Sequence, residues 1–322
     1  MSKVLIHEPI VQEGLDVLLA AGHTPVPKDE LQVEDCQEIE GFIARSSPVT
    51  AEYLCQFPNL KVIARHGVGV NNIDIEYATR HGIIVANAPY SNVISVAEHV
   101  FGMMLYLARE FPLADELVRS GRFRERDQHL LSELKGKTLG VVGFGKIGRQ
   151  VTAIAKNGFD MKVLVYDSVV TVEDEDITQV ASLEELLPQV DYLTLHVPYI
   201  KSTANLINAR TLSLMKPSAV LINCARGEVV DMDALYEALN SGKLKAAGID
   251  VFPGEYPDLK HPIFGLKNVL FTPHHAALTH EAMIRMATGA AEAVVAVLAG
   301  TRPESVVNPE VLQNAMEYSK AR

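Results

Sequence analysis

Three polar segments punctuate apolar runs in the second half of this 322-residue sequence: Asn223-Cys224-Ala225-Arg226-Gly227, Gly248 through Asp250-Val251-Phe252-Pro253-Gly254-Glu255, and Thr272-Pro273-His274-His275. Each follows a strand-like stretch, and open α/β sheets build their sites beyond the carboxyl ends of strands. An arginine, a carboxylate and a histidine suit reversible hydride transfer at a carbinol carbon. Arg226 would bind and polarise a 2-keto acid through its fork of donors. His274 would give a proton to the carbonyl oxygen during reduction and take it back during oxidation. Glu255 would orient the imidazole and favour its charged form. Taken singly, each has a plainer reading: a surface ion pair, a loop carboxylate, a histidine satisfied at a turn. Their joint occurrence downstream of a nucleotide turn predicts one shared site.

That turn is Gly143-Phe144-Gly145-Lys146-Ile147-Gly148, placed directly after the apolar run Leu139–Val142. The first glycine permits a tight turn, the second lets backbone approach a pyrophosphate, and the third allows close helix–strand packing. A helix from Ile147 to Phe159 would add amide donors and a favourable dipole for the anion. Glycine triplets also occur in methyltransferases and in structural turns, but here a second strand-like segment, Lys162–Tyr166, ends in Asp167. Its carboxylate would hold the adenosine ribose hydroxyls and repel a 2′-phosphate, which favours NAD over NADP. The plainer alternative for Asp167 is a strand-end cap.

The elements that must position these residues read as alternating strands and helices, hence parallel sheets covered on both faces. Lys3–His7, Gly41–Arg45, Lys61–His66 and Gly82–Ala86 are expected strands in the first block, with helices near 10–21, 50–56 and 74–81. Thr138–Val142, Lys162–Tyr166, Tyr192–Val197, Ala219–Asn223, Ala246–Val251 and Val269–Phe271 form the second set. Ser182 with Glu185 reads as a capping box and Asp231 as an N-cap. Residues 92–110 are apolar all round, which predicts a buried helix between domains or between subunits. A last helix near 279–299 ends at Gly300.

Composition sets outer bounds. A formal net charge of −11 excludes the basic stripe expected of a nucleic-acid binder. The cluster Arg119, Arg122, Arg124 and Arg126 is broken by acids and reads as a solvated turn. Cys36, Cys55 and Cys224 have no zinc or disulfide spacing, so no metal is expected. With no signal-peptide pattern and no apolar run of membrane length, the expected location is the cytoplasm, without membrane contact.

The ordered set of segments resembles the D-2-hydroxyacid dehydrogenase family across nearly the whole chain. It comprises Arg65-His66-Gly67-Val68-Gly69, Asn87-Ala88-Pro89, Ser95-Val96-Ala97-Glu98, the glycine turn, His196-Val197-Pro198, Asn223–Gly227, Asp250-Val251-Phe252 with Glu255, and Thr272-Pro273-His274. The resemblance implies an α/β protein of two Rossmann-like domains with parallel sheets, cofactor and substrate lying in the cleft between them. Residues 1–97 plus 288–322 would form the substrate domain and 98–287 the NAD-binding domain. It implies Arg226, Glu255 and His274 as the catalytic trio, and the Val68 and Gly69 backbone at the substrate carboxylate. His66 lies in the same substrate loop. Val96, Thr203, His196-Val197-Pro198, the backbone of Cys224, Ala225 and Arg226, and Asp250 would surround the cofactor, with Asp250 on the nicotinamide carboxamide. Asp250 also admits a plainer reading as a strand-end cap. His275 is expected in the site wall, and His7, His23, His81, His99, His129, His261 and His280 as structural or surface residues.

Ala44-Arg45-Ser46-Ser47-Pro48-Val49-Thr50 is similar to the phosphoglycerate enzymes, so Arg45 and Ser46 would meet a second anionic group on the substrate; an arginine ending a strand at the surface is the alternative. The long phosphoglycerate dehydrogenases carry a regulatory serine-binding domain beyond Val306-Val307-Asn308-Pro309, and the sequence is read as a short form without it. Expected substrates are 3-phosphoglycerate, hydroxypyruvate or glyoxylate, or simpler D-2-hydroxy acids; the glutamate position argues against formate dehydrogenase. The competing class is an NAD-sensing corepressor on the same fold. A methyltransferase fits less well, because the Arg–Glu–His set would be unexplained. A homodimer is expected, with the 92–110 helix near its interface.

Overall fold

A computed structural model describes residues 1–254 and 256–312. The chain forms two compact units, Met1–Asn92 together with the chain from Leu278 onward, and Val93–Ala277.

In the first unit five parallel strands, β1 (Lys3–Ile6), β2 (Thr24–Pro27), β3 (Ile39–Ala44), β4 (Val62–Arg65) and β5 (Ile84–Asn87), lie in the order β2-β1-β3-β4-β5. Strand β2, Thr-Pro-Val-Pro, was not expected from the sequence. Its two prolines cannot donate to a ladder, and they are tolerated because β2 is an edge. Helices α1 (Gln12–Ala20), α2 (Ala51–Leu54) and α3 (Ile75–Arg80) connect the strands. On one face Val4, Ile43, Ala64, Ala290 and Val294 are fully buried, and Leu5, Phe42, Ile63 and Val85 fill the other. Glycines allow the close approach that this packing needs: a Cβ on Gly14 would stand 2.7 Å from that of Ala287, and one on Gly41 2.7 Å from Val294 Cγ1.

The second unit opens with α4 (Val93–Arg109) and α5 (Phe111–Arg119). Its seven parallel strands are β6 (Thr138–Val142), β7 (Lys162–Tyr166), β8 (Thr178–Gln179), β9 (Tyr192–Leu195), β10 (Val220–Asn223), β11 (Ala246–Ile249) and β12 (Val269–Phe271). They run β12-β11-β10-β9-β6-β7-β8. The order reverses between β6 and β9, and such reversals open a crevice at the carboxyl ends of the strands. One face packs on α4 and on α6 (Lys146–Phe159), through Val96, Val100, Met104, Val151 and Ala155. The other packs on α7 (Leu183–Leu186), α8 (Ala209–Leu212) and α9 (Met232–Asn240), through Leu186, Leu212 and Leu235.

Helix α4 is not buried all round by its own unit: Ile94 is half exposed, whereas Val96, Val100, Met103 and Met104 are buried. The arginine cluster is likewise not a simple turn. Arg119 closes α5 and pairs with Asp115 one turn earlier, and Arg122 pairs with Glu116 and Glu125 at the start of a 3-10 segment, Phe123–Gln128. Ser182 accepts the Glu185 amide as predicted, but the expected capping box is shifted by one residue, since the Glu185 carboxylate takes the Ala181 amide rather than that of Ser182. Asp231 accepts the Ala234 amide. The final helix, α10 (His280–Leu298), is capped by Thr279 and stops before Gly300, which takes the left-handed conformation at φ 77°. Helices α4 and α10 each belong whole to one unit, whereas the boundaries 97/98 and 287/288 fall inside them. No helix among the described residues is long and apolar enough to cross a membrane.

Candidate active site

The glycine turn leaves β6 at the reversal of strand order. Gly143 has φ 95°, a conformation glycine adopts without a Cβ penalty, and a Cβ there would meet the His196 carbonyl group at 2.7 Å. A Cβ on Gly148 would sit 2.1 Å from the Gly143 oxygen, so this glycine locks α6 against the turn. Gly145, at the N-cap of α6, faces open space. The first amides of a helix have no intrahelical acceptor, and here they belong to Lys146, Ile147 and Gly148 beside an unobstructed glycine. That cradle fits a pyrophosphate.

Asp167, just past β7, accepts the Phe144 amide at 2.6 Å and the Val169 and Val170 amides at 2.8 Å each. A carboxylate offers about four acceptor positions, so roughly one is left for a ribose hydroxyl. Burial opposes the charge of Asp167, but the three amides, with Arg149 nearby, hold its carboxyl below the ordinary range. Asp167 therefore caps its own turn, the plainer of its two readings, and retains about one acceptor position.

Across the reversal, His196 N donates to Val142 O at 2.7 Å, and its ring Nε2 lies 3.0 Å from Thr194 Oγ1. Desolvation pushes the imidazole to about 3, so it is a neutral wall. Val197 and Pro198 continue that wall. Thr203 turns its hydroxyl inward to Pro198 O at 2.6 Å, which closes the following turn. Val96 is buried on α4.

The segments bearing the expected trio interlock at the same end of the sheet. Beyond β10, Asn223 ties down its own loop, accepting the Ala225 amide and donating to Arg226 O. Cys224 is buried against Met103, and its thiol is pushed well up by burial. Arg226 donates from Nη1 to Ala225 O at 2.6 Å. Gly227 abuts the β11 loop so closely that a Cβ would stand 2.0 Å from the Phe252 carbonyl carbon. Asp250, wholly buried, accepts from Thr272 Oγ1 (2.5 Å), His275 N (2.8 Å) and Ala276 N (3.1 Å), and its own carbonyl accepts His274 N at 2.7 Å. His274 has a left-handed backbone at φ 52°. Glu255 lies outside the described residues. Asp250 was read from the sequence as a cofactor residue or as a strand-end residue capping a nearby loop, and these contacts are those of the second reading; its tie to the Thr272 hydroxyl was not foreseen. The signal was the hydroxyl of Thr272, a residue quoted only as part of the motif.

His99, Cys224 and Asp250 converge within metal-ligand distance. The donors argue against a metal: the Asp250 oxygens are already taken by a hydroxyl and two amides, and burial keeps the Cys224 thiol protonated.

In the first unit, the carbonyls of His66, Gly67, Val68 and Gly69 all accept hydrogen bonds, from Arg65, the Ala88 amide, Asn87 and Arg65 again. The Val68 and Gly69 amides find no acceptor among the described residues. His66 is buried, and desolvation, with Arg45 nearby, pushes its imidazole down to about 4. Arg45 donates to Pro9 O at 3.0 Å, and the Ser46 amide donates to Glu8 at 2.6 Å.

A family model described as D-isomer specific 2-hydroxyacid dehydrogenase, NAD binding domain, matches residues 101–276. The chain belongs to this family. Residues 101–276 are its NAD-binding domain, and the glycine turn, Asp167 and the Arg226 loop all lie within it. The chain is 40% identical over 325 residues to a D-3-phosphoglycerate dehydrogenase of Methanocaldococcus jannaschii, covering 98% of this chain and 61% of that one. It thus spans about three fifths of the length of that relative. A glyoxylate reductase of Thermococcus litoralis is 38% identical over 328 residues, which cover 97% of this chain and 98% of the relative. The structure of a D-lactate dehydrogenase from Aquifex aeolicus, complexed with NAD and lactic acid, superposes with a TM-score of 0.83 at 32% identity, over 95% of this chain and 99% of that one.

Proposed function

We propose that this chain is an NAD-dependent oxidoreductase that interconverts a D-2-hydroxy acid and its 2-keto acid. The observation that carries the reading is that the glycine turn, the Arg226 loop and the left-handed His274 all follow strands of one parallel sheet at the same end. When bound, the nicotinamide supplies or takes up the hydride. Arg226 polarises the substrate carbonyl and binds its carboxylate. In the first unit the Val68 and Gly69 amides, which find no acceptor among the described residues, are donors suited to a carboxylate. His274 passes the proton to and from the oxygen, with Glu255 as its partner. Cys224 and Ala225, buried in the same loop, support the cofactor through backbone.

For the substrate we favour 3-phosphoglycerate or hydroxypyruvate and glyoxylate, with Arg45 and Ser46 meeting any second anionic group. Relatives named for both classes align over nearly the whole chain. The test is a steady-state screen of 2-keto acids, with and without a distal phosphate, using NADH, followed by Arg45→Ala on the best substrate. Turnover of at least one 2-keto acid is expected. NADH binding without turnover of any would overturn the enzymatic reading and leave the corepressor-like one.

We further propose a homodimer. Val118, Phe123 and Leu131, in and after α5, are 61, 54 and 44% exposed and line one surface pocket. Sedimentation at micromolar concentration should give twice the chain mass; a monomer alone would contradict it.

A further inference from the structure

We propose that His99 is a positioning residue that, through the Thr272 hydroxyl and the buried Asp250 carboxylate, holds the left-handed backbone of His274. The proposal rests on the reading of His274 as the acid–base residue, and it gives a role to a histidine with no motif of its own.

The network runs in one direction. Asp250, with no exposed surface, can only accept when ionised, and its Oδ1 takes the single proton of Thr272 Oγ1 at 2.5 Å. The Thr272 oxygen is then an acceptor, and His99 Nε2, 3.1 Å away, must donate to it. His99 Nε2 also lies 3.6 Å from Asp250 Oδ1, so the ring stands beside the charge as well as the hydroxyl. The same Oδ1 also accepts the His275 amide, and Oδ2 accepts the Ala276 amide, these being the two residues after His274. The Asp250 carbonyl accepts the His274 amide itself.

The clamp answers a local need. A non-glycine residue at positive φ is strained and persists only where its surroundings over-determine it. Here three consecutive amides, His274 to Ala276, are fixed by one residue. His99 comes from α4, an element packed into the core of the unit, so it ties the loop to a rigid body rather than to another loop. Without its donor, the Thr272 hydroxyl is free to rotate, and one side of the Asp250 carboxylate loses its fixed partner.

Two substitutions break the link without touching His274. Thr272→Val is nearly isosteric and removes the hydroxyl; His99→Leu removes the donor. Thr272→Ser and His99→Gln restore hydroxyl and donor. Amide hydrogen exchange on the full chain is the activity-independent measurement. His275 and Ala276 amides should exchange about tenfold faster in the first pair and return toward wild type in the second, a factor of ten being about 1.4 kcal/mol. In turnover of the best 2-keto acid, the first pair should lose about ten- to a hundredfold in kcat, as small misplacements of catalytic groups do, with little change in KM. Unchanged exchange in both Thr272→Val and His99→Leu overturns the clamp. A wild type that reduces no 2-keto acid overturns the catalytic reading, and exchange alone then decides the clamp.

Discussion

The Phe144 amide, in the middle of the glycine turn, donates to the Asp167 carboxylate at 2.6 Å, so the two halves of the dinucleotide fingerprint are bonded to each other. The residue proposed to select the cofactor thus also shapes the turn proposed to bind its pyrophosphate. Phe144 is further held by Arg149, whose guanidinium lies 4.5 Å from the ring centre. On that proposal, one hydrogen bond couples selectivity for the cofactor to affinity for it.

Asp167→Ala should weaken both cofactors and narrow the preference. Loss of a charge-assisted bond is worth about 1.5–3 kcal/mol, so KM for NADH should rise about tenfold or more. KM for NADPH should rise less, because removal of the carboxylate also removes its repulsion of the 2′-phosphate. Steady-state kinetics with both cofactors measures this, and an unaltered NADH/NADPH ratio would refute the ribose assignment.

Two glycines of the turn should fail differently. A methyl on Gly145 meets nothing in the protein, so Gly145→Ala should unfold at the wild-type temperature yet bind NADH several-fold more weakly. A methyl on Gly148 strikes the Gly143 oxygen, so Gly148→Ala should lose stability by about 1–3 kcal/mol as well as affinity. Thermal melts paired with NADH titrations separate the two; equal melting temperatures would contradict the packing role of Gly148.

The buried His66 predicts an acid-sensitive first unit. Its imidazole titrates near 4 in the folded chain and near 6.5 when unfolded, so between those values the unfolded state binds more protons. Stability is therefore fully present above about 6.5 and falls as pH is lowered through the window, by at most about 1.4 kcal/mol per pH unit. Urea unfolding at pH 7, 6 and 5 should show a shallower decline for His66→Gln than for wild type. Parallel declines would mean that His66 is not the group responsible.

Arg226→Lys should cost about a hundredfold in kcat/KM for the best 2-keto acid. Lysine keeps the charge but not the planar fork that meets carboxylate and carbonyl together. NADH affinity should be nearly unchanged. A loss confined to NADH binding would move Arg226 out of the substrate role.

The alternation of strands and helices was legible because buried parallel strands are nearly continuous apolar runs, as in Val220–Asn223 and Ala246–Ile249. The glycine turn was legible because its chemistry is local. Strand β2 was hidden by Pro25 and Pro27, which argue against a strand everywhere but at an edge. Helix α5 was hidden by its charges, which serve one another at helical spacing. The link from His99 to Thr272 could not be seen at all, since 173 residues separate its ends and only the fold brings them together. Local patterns named the candidate reacting groups; the contacts that hold their segments come from distant pairing.

Helix α10 completes the five-stranded sheet although it is made last among the described elements, after the whole second unit. During synthesis on the ribosome, the sheet face formed by Val4, Ile43 and Ala64 must wait for Ala290 and Val294 to emerge. The inserted unit has all of its own core by Ala277 and can mature first. The nascent first unit, left with a bare apolar face for that interval, is the stage at which this protein most needs protection from aggregation.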